Sequence, residues 1–295
     1  MPWTTRYPLL PFLAILALLA GCATDRSPSA PETQERPLVA AKAPAQRIIS
    51  LEELQSPQTT TRSDGRVVSK KVHIYYRQGF QPEEEPLGES GDNNCSAFLA
   101  KGARWKTTEP YVLDSSNGDG LKKRFVTSAI AAGLERWNAA AGFAIFGPRD
   151  ARSKVDVDDV GLSTDGKNEV FFANIDESGV IAVTIVWGIF GGAPASRELV
   201  EWDMILDDPV LGELGLGLEW GDAGPTDETE LGDIGIMDLQ NISTHETGHA
   251  AGMAHPHPSN RCAEETMFRF AMEGETKKRT LHTGDIEGIA ELYEF

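Results

Sequence analysis

The sequence has few cysteines, few basic residues and no long apolar run. Three cysteines in 295 residues are too few for a disulfide-bonded scaffold. The 27 Lys and Arg residues are outnumbered by 45 Asp and Glu residues, and the net charge of −18 would repel phosphate backbones and anionic lipid headgroups. No apolar stretch reaches the roughly 20 residues that a transmembrane helix needs. We therefore expect no nucleic-acid partner and a monomeric globular domain with appendages.

Residues 1–21 have the pattern of an export signal. Arg6 precedes an apolar run, Tyr7 to Ala20, and the run ends in Leu19-Ala20-Gly21-Cys22. This tetrapeptide resembles the lipobox of prokaryotic lipoproteins, in which the cysteine receives the lipid and becomes the new N-terminus. The resemblance implies an exported protein, anchored at Cys22 to the extracytoplasmic face of the cell envelope, that touches the membrane through its lipid only. An ordinary signal peptide with a chance cysteine is the alternative.

The chain that follows the signal is polar. Residues 22–70 are rich in Pro, Ala, Ser, Thr, Gln and charge, and such a composition buries too little apolar area to offset the entropy of chain ordering. We predict that residues 22–70 form a disordered tether, with room for a short helix at Ile48 to Leu54. Residues 71–94 are predicted to form a strand, Lys71 to Tyr76, followed by an acidic loop.

The remaining chain, residues 95–295, carries helix and strand patterns in mixed order. Apolar residues at spacings of three and four predict an amphipathic helix over Leu121 to Ala141. A second helix is predicted to start near Asp238, whose side chain is a favourable N-cap. The fold class is therefore α/β or α+β. Three β-branched or aromatic runs between the helices predict strands at Val170–Asn174, Val180–Trp187 and Leu199–Leu206.

The second helix carries the sequence His-Glu-Thr-Gly-His. His245 and His249 are one turn apart on the same helix face, where both can reach a zinc ion at about 2.0–2.1 Å. Gly252 can adopt a positive φ, end the helix and return the chain so that His255 supplies a third ligand. Three protein ligands leave one zinc position for water, which is typical of catalytic sites. Glu246, beside the first ligand, is the candidate general base.

The segment from His245 to His255 resembles the HExxHxxGxxH signature of the metzincin zinc peptidases, and most closely their matrixin branch. Thr266-Met267-Phe268 is similar to the family's Met-turn, in which a methionine forms an apolar floor beneath the metal, and Leu281 to Tyr293 is similar to its closing helix. The resemblance covers residues 95–295. It implies a metzincin-like domain with a twisted, mostly parallel sheet, a long helix, an active-site helix, a Met-turn at Met267 and a C-terminal helix.

The other histidines depart from the matrixin pattern. Matrixins hold a second, structural zinc with histidines, but His73, His257 and His282 lack the family's spacing, so we predict that this second zinc is absent. We expect His257 to be a loop residue near the rim of the site and His282 to lie beside a helix start. Tyr293, in the predicted C-terminal helix, is expected to pack in the core.

The cysteines depart from the pattern as well, because the family's inhibitory cysteine motif is missing. If Cys22 receives a lipid, Cys95 and Cys262 are the pair left in an oxidising compartment, and we predict a disulfide between them. A thiolate bound to the zinc and free thiols are the alternatives.

Two acidic segments are candidates for calcium, which matrixins often bind. These are Asp156 to Asp159 and the loop Glu219 to Glu230. Neither has the ordered Asp-x-Asp-x-Asp-Gly pattern of a calcium loop, so we favour solvated surface charge over a Ca²⁺ site.

The motif and the resemblance together predict a zinc endopeptidase. Glu246 would take the proton of a zinc-activated water, and the protein or peptide substrate would lie extended across the cleft, pairing with an edge strand for which Val180 to Trp187 is the candidate. Because the ligands must be neutral imidazoles, we expect zinc and activity to be lost in mild acid. Two other functions stay open: a surface lipoprotein that binds without catalysis, and a zinc amidase that acts on cell-wall material.

Overall fold

Nine strands form the central sheet of the computed structural model, which describes residues 48–80, 88–91, 95–208, 218–224, 232–257 and 260–294. Two short strand pairs, β4 with β5 and β11 with β12, lie outside this sheet. Along the chain the strands are β1 (Ile48–Ile49), β2 (Thr59–Thr61), β3 (Val67–Arg77), β4 (Glu89–Ser90), β5 (Ala97–Phe98), β6 (Glu109–Leu113), β7 (Phe146–Arg149), β8 (Glu169–Ile175), β9 (Val180–Ile189), β10 (Glu198–Asp207), β11 (Glu219–Gly221), β12 (Ile236–Asp238) and β13 (Phe270–Ala271). The helices are α1 (Leu51–Gln55), α2 (Lys123–Ala141), α3 (Leu239–Ala250) and α4 (Thr283–Tyr293).

The sheet is mixed, with most of its strand pairs parallel. Its order is β13-β3-β9-β10-β8-β6-β7, and β1 and β2 are added on β8 and β3. The pairs β6–β7, β6–β8, β8–β10, β1–β8 and β3–β13 are parallel, whereas β9 runs antiparallel to both of its neighbours. This architecture confirms the predicted α/β class and the mostly parallel sheet.

Strand β9 is an interior strand in this structure, so the prediction that Val180 to Trp187 lies at an edge of the sheet is wrong. Strand β3 pairs with it on one side and β10 on the other. All ten residues of β9 are buried. The sequence carries this information, because an unbroken apolar run is typical of a strand covered on both faces rather than of an edge.

The long helix α2 matches the predicted amphipathic pattern. Its buried residues include Val126, Ile130, Leu134 and Trp137, which repeat at the predicted spacings of four and three. Gly142 then adopts a left-handed conformation with φ 61° and ends the helix. One hydrophobic core lies between the sheet and helices α2, α3 and α4 and includes Trp137, Ile242 and Leu292.

The opposite face of the sheet has a second hydrophobic core that involves the N-terminal part of the described chain. Ile49, Leu51, Leu54 and Val68 are buried there with side chains of β8, β9 and β10. The predicted tether is therefore too long, because residues 48–70 are folded, and the helix predicted at Ile48 to Leu54 is present as α1. A few apolar residues are enough to fold this segment because each of them packs against apolar side chains of the sheet.

Some predicted features lie outside the described residues. These are the export signal, Cys22, the tether before residue 48 and most of the acidic loop after β3. Among the helices that the structure does describe, none has the length and apolar composition needed to cross a bilayer.

The folded state of residues 48–70 predicts a large effect of Leu54→Ala. Leu54 is 3% exposed, so its truncation should lower the free energy of unfolding by about 2–4 kcal/mol. Ile48→Ala is the matched control, because Ile48 is 67% exposed and should change it by less than about 0.5 kcal/mol. Urea unfolding of both variants measures the difference. Equal, small effects would show that this segment does not contribute to the core.

Candidate metal centre

Helix α3 holds the first two histidines in a fixed orientation. Asp238 caps its N-terminus, with Oδ1 accepting a hydrogen bond from Asn241 N at 2.8 Å, which confirms the predicted helix start. Helix α2 packs alongside, and Trp137 Nε1 donates to Thr244 O at 2.7 Å. The helix is buried from Asn241 to Ala250, so the side chains on its metal-facing side have little room to move.

Gly252 turns the chain back toward the end of α3. Its φ of 107° lies in the region that favours glycine. A Cβ at this position would also lie 2.9 Å from Leu292 Cδ2 and 3.0 Å from Ala103 O. This turn brings His255 to the other two histidines, as predicted from the spacing.

The three histidines converge on one point. His255 Nε2 lies 3.1 Å from His245 Nε2 and 3.1 Å from His249 Nε2. All three rings are buried, with at most 2% of their surface exposed. Within the described residues they form the single group of at least three His, Cys, Asp or Glu side chains whose ligand atoms lie within 4.8 Å of one another.

The hydrogen bonds that two of the histidines make through Nδ1 orient their Nε2 atoms to bind a metal. His245 Nδ1 lies 2.6 Å from Thr266 O, and His249 Nδ1 lies 3.0 Å from Met253 O. A carbonyl oxygen only accepts hydrogen bonds, so both Nδ1 atoms must carry the proton and both Nε2 atoms present a lone pair. Both lone pairs face the Nε2 atom of His255, and a zinc ion fits this set of three imidazole donors.

The electrostatics of the site favour neutral ligands. Burial lowers the pKa of His245 and of His249 well below 6.5, and the neighbouring histidines add to the effect. A neutral imidazole is the form that binds a metal, so burial prepares both rings for this role.

Glu246 points from α3 toward the sheet. It is fully buried, and its Oε2 accepts a hydrogen bond from Thr184 Oγ1 at 2.5 Å. Thr184 lies on β9 and was missed by sequence reasoning. Its one signal is that it is a polar residue in an otherwise apolar strand.

Met267 packs on α3 beside Gly248. A Cβ added at Gly248 would come closer than 3.0 Å to Met267 Sδ and to the ring of Trp137, so the glycine inside the His-Glu-Thr-Gly-His sequence is required by packing. Helix α4 holds the turn through Asp285, whose carboxylate accepts hydrogen bonds from Thr266 N at 2.6 Å and Met267 N at 3.1 Å. The predicted Met-turn is thus part of the metal centre's support.

Cys95 and Cys262 form a disulfide, as predicted. Cys262 is fully buried in the segment between His255 and Met267. The bond ties the segment before β5 to the chain that connects the third histidine with the Met-turn, and so it limits the movement of that connection. The predicted alternatives, a thiolate on the metal and free thiols, do not agree with this pairing.

Strand β3 contributes two rings that the sequence did not lead us to expect at the site. The His73 ring stacks on His249, with centroids 4.2 Å apart, and the Tyr75 ring stacks on His245, with centroids 3.7 Å apart. The buried Lys278 donates hydrogen bonds to Tyr75 Oη and to Phe268 O. Burial lowers the pKa of Lys278 to about 8.

The remaining candidate residues are not members of the group of three histidines. His257 is exposed, and His282 precedes α4 with its backbone N donating to Asp285 Oδ2 at 3.1 Å. Tyr293 is 2% exposed and donates to Ala251 O at 2.9 Å, as expected of a core residue. The absence of a second zinc stays a prediction.

The acidic segments show hydrogen bonds within the protein. Asp156 Oδ1 accepts from Asp158 N at 3.2 Å, and Asp156 N donates to Glu169 Oε1 at 3.0 Å. Of the loop Glu219 to Glu230, residues 219–224 are described and the rest lie outside the description. The preference for solvated surface charge over calcium at both segments stays a prediction.

The fold and the three convergent histidines define a metalloenzyme-type site on a mixed α/β domain. The chain matches the family model of the matrixins over residues 104–294, which is more than half of its length. It therefore belongs to the Matrixin family, and as a member it is a zinc-dependent metallopeptidase. No curated protein matches the chain closely enough to count as a relative.

The packing at Gly248 predicts that Gly248→Ala damages the metal centre. The added methyl group must displace Met267 or Trp137, so we expect a loss of about 1–3 kcal/mol in stability together with weaker zinc binding. Gly191→Ala is the control, because a Cβ there meets no atom within 4 Å. Calorimetry and zinc competition with a chelator measure both effects. A variant as stable and as zinc-avid as the wild type would contradict the packing argument.

The lowered pKa values predict a pH dependence of stability in the zinc-free protein. His245 and His249 resist protonation when folded but titrate near pH 6.5 when unfolded, so the unfolded state binds more protons below that pH. The free energy of unfolding should therefore fall as the pH drops below about 6.5, and His249→Gln should make this fall shallower by about 1.4 kcal/mol per pH unit.

Urea titrations from pH 7.5 to 5 measure these slopes. His257→Gln is the control, because it removes an exposed histidine that lies outside the group of three. A slope in His249→Gln equal to that of the wild type would show that His249 titrates normally in the folded protein.

Proposed function

We propose that this matrixin is an endopeptidase of the cell envelope that hydrolyses proteins with Glu246 as general base. The position of Glu246 carries the proposal. Its carboxylate is fully buried beside the first ligand, and the Thr184 hydroxyl donates to its Oε2 at 2.5 Å. Burying a carboxylate is costly, and a site that only held zinc would not need this one.

The chemistry divides between the ion and the residues around it. When bound, zinc polarises the peptide carbonyl and lowers the pKa of the attacking water. Glu246 takes the proton from that water and returns it to the departing amine. Thr184 fixes the orientation of the carboxylate from β9, and the carbonyls of Thr266 and Met253 keep two ligand rings in the tautomer that presents Nε2.

The proposed location is the extracytoplasmic side of a membrane, with Cys22 as the lipid-bearing residue. The signal-like residues 1–21 and the sequence Leu-Ala-Gly-Cys support it. The disulfide between Cys95 and Cys262 supports export as well, because such bonds persist in oxidising compartments.

Glu246→Gln tests the proposed role of the base. The amide keeps the size of the side chain but cannot take a proton, so casein cleavage should fall by about 10²–10⁴ while one zinc per molecule is retained. Glu201→Gln is the matched control: Glu201 is also buried, but it lies on β10, where Gly166 N donates to it. This control should cleave casein at the wild-type rate.

The same assay separates the competing functions. Cleavage by the wild type and by Glu201→Gln, and its loss in Glu246→Gln, supports an endopeptidase. Equal rates in the wild type and Glu246→Gln would remove Glu246 from the reaction. Release of cell-wall fragments in place of casein cleavage would show an amidase.

A further inference from the structure

Strand β3 fills the side of β9 that would otherwise be the sheet's edge above the metal centre. Their antiparallel pairing runs from Ser69 opposite Gly188 to Tyr76 opposite Val180, and His73 lies opposite Thr184. Thr184 is the residue that holds Glu246. The backbone of β3 therefore pairs with β9 at the residue that contacts the proposed catalytic carboxylate.

Alternate side chains of β3 cover the metal ligands. His73 stacks on His249 and meets His255 edge-on at 6.1 Å between centroids, while Tyr75 stacks on His245. The Nε2 atom of His73 is buried and has no hydrogen-bond partner among the described residues. A buried polar atom without a hydrogen-bond partner is unfavourable. A peptide that replaced β3 would take the place of His73 and so remove this atom from the site.

The strand is fastened at points that do not touch the metal ligands. Lys71 Nζ donates to Leu99 O and lies over the ring of Phe190, 5.1 Å from its centroid. At the C-terminal end of β3, Tyr76 and Arg77 pair with β13. The strand is half-buried from Ser69 to His73 and buried from Ile74 to Tyr76, so its N-terminal half is less covered than β9, all of whose residues are buried.

An extended peptide substrate needs a free strand edge or an open cleft, because its backbone pairs with the enzyme by strand addition. In this structure β3 takes that pairing along β9, and the three ligands are at most 2% exposed. We infer that β3 (Val67–Arg77) is an autoinhibitory strand that occupies the substrate site and must leave β9 before a protein substrate can reach the metal centre. This inference rests on the proposed peptidase function.

A reversible disulfide between β3 and β9 tests the inference on the whole protein. Val72 and Ile185 are directly opposite each other, and opposite residues of antiparallel strands have the Cα separation that a disulfide requires. Both side chains belong to the core on the sheet face away from the helices, so Val72→Cys with Ile185→Cys leaves the metal-facing side of β3 unchanged. Each single variant, treated with the same reductant, controls for reduction of the native disulfide.

Two readouts are compared in the oxidised and reduced double variant, with zinc content confirmed in each. The first is the affinity for a fluorescent hydroxamate, a small zinc chelator, and the second is the rate of casein cleavage. If β3 must leave, oxidation should weaken hydroxamate binding at least tenfold and abolish cleavage, and reduction should restore both. Equal hydroxamate affinity in the two states would overturn the inference.

Hydroxamate binding that returns on reduction without any casein cleavage would support the inhibitory strand and contradict the peptidase function.

Lys71→Ser provides an independent test, because it removes a contact that holds β3 in place without touching a metal ligand. It should increase hydroxamate affinity and casein cleavage several-fold over the wild type. Lys167→Ser is its control, since Lys167 pairs with Asp165 in the loop before β8. An unchanged or lower affinity in Lys71→Ser would count against the inference.

Discussion

Two backbone carbonyls determine what the metal centre can bind. Thr266 O and Met253 O accept the Nδ1 protons of His245 and His249, and this forces both Nε2 lone pairs toward the same point. The rest of the site serves this arrangement. The turn after α3 places one carbonyl and the third histidine, and Asp285 on α4 holds the backbone that carries the other carbonyl. A shift of either carbonyl would release a ring to its other tautomer, and the convergence of nitrogens would be lost.

The sheet connects the metal centre to the N-terminal part of the folded chain. Strand β9 supplies Thr184 to the proposed base and at the same time pairs with β3, whose rings cover the ligands. The residue that orients the carboxylate and the strand that covers the site are therefore neighbours in one hydrogen-bonded ladder. This arrangement gives a physical reason for the position of the N-terminal segment: it completes the sheet and the second core while it also closes the cleft.

The sequence predicted those parts of the site that depend on short-range geometry. Two histidines one helical turn apart and a glycine that permits a positive φ can be recognised within the eleven residues from His245 to His255. The N-cap at Asp238 can be recognised from the residues next to it. The role of Thr184 and the position of His73 depend on which strands pair, and pairing joins residues far apart in sequence. The folded segment 48–70 was missed for a different reason: its composition is polar on average, and its few apolar residues are buried only because the sheet offers a matching surface.

The metal centre described here has three neutral histidines that hold one zinc ion, and no cysteine takes part. X-ray absorption at the zinc edge of the purified protein tests it directly. We expect three imidazole ligands at about 2.0–2.1 Å and no sulfur ligand. A sulfur scatterer near 2.3 Å, or fewer than three imidazoles, would show that the zinc has a different set of ligands.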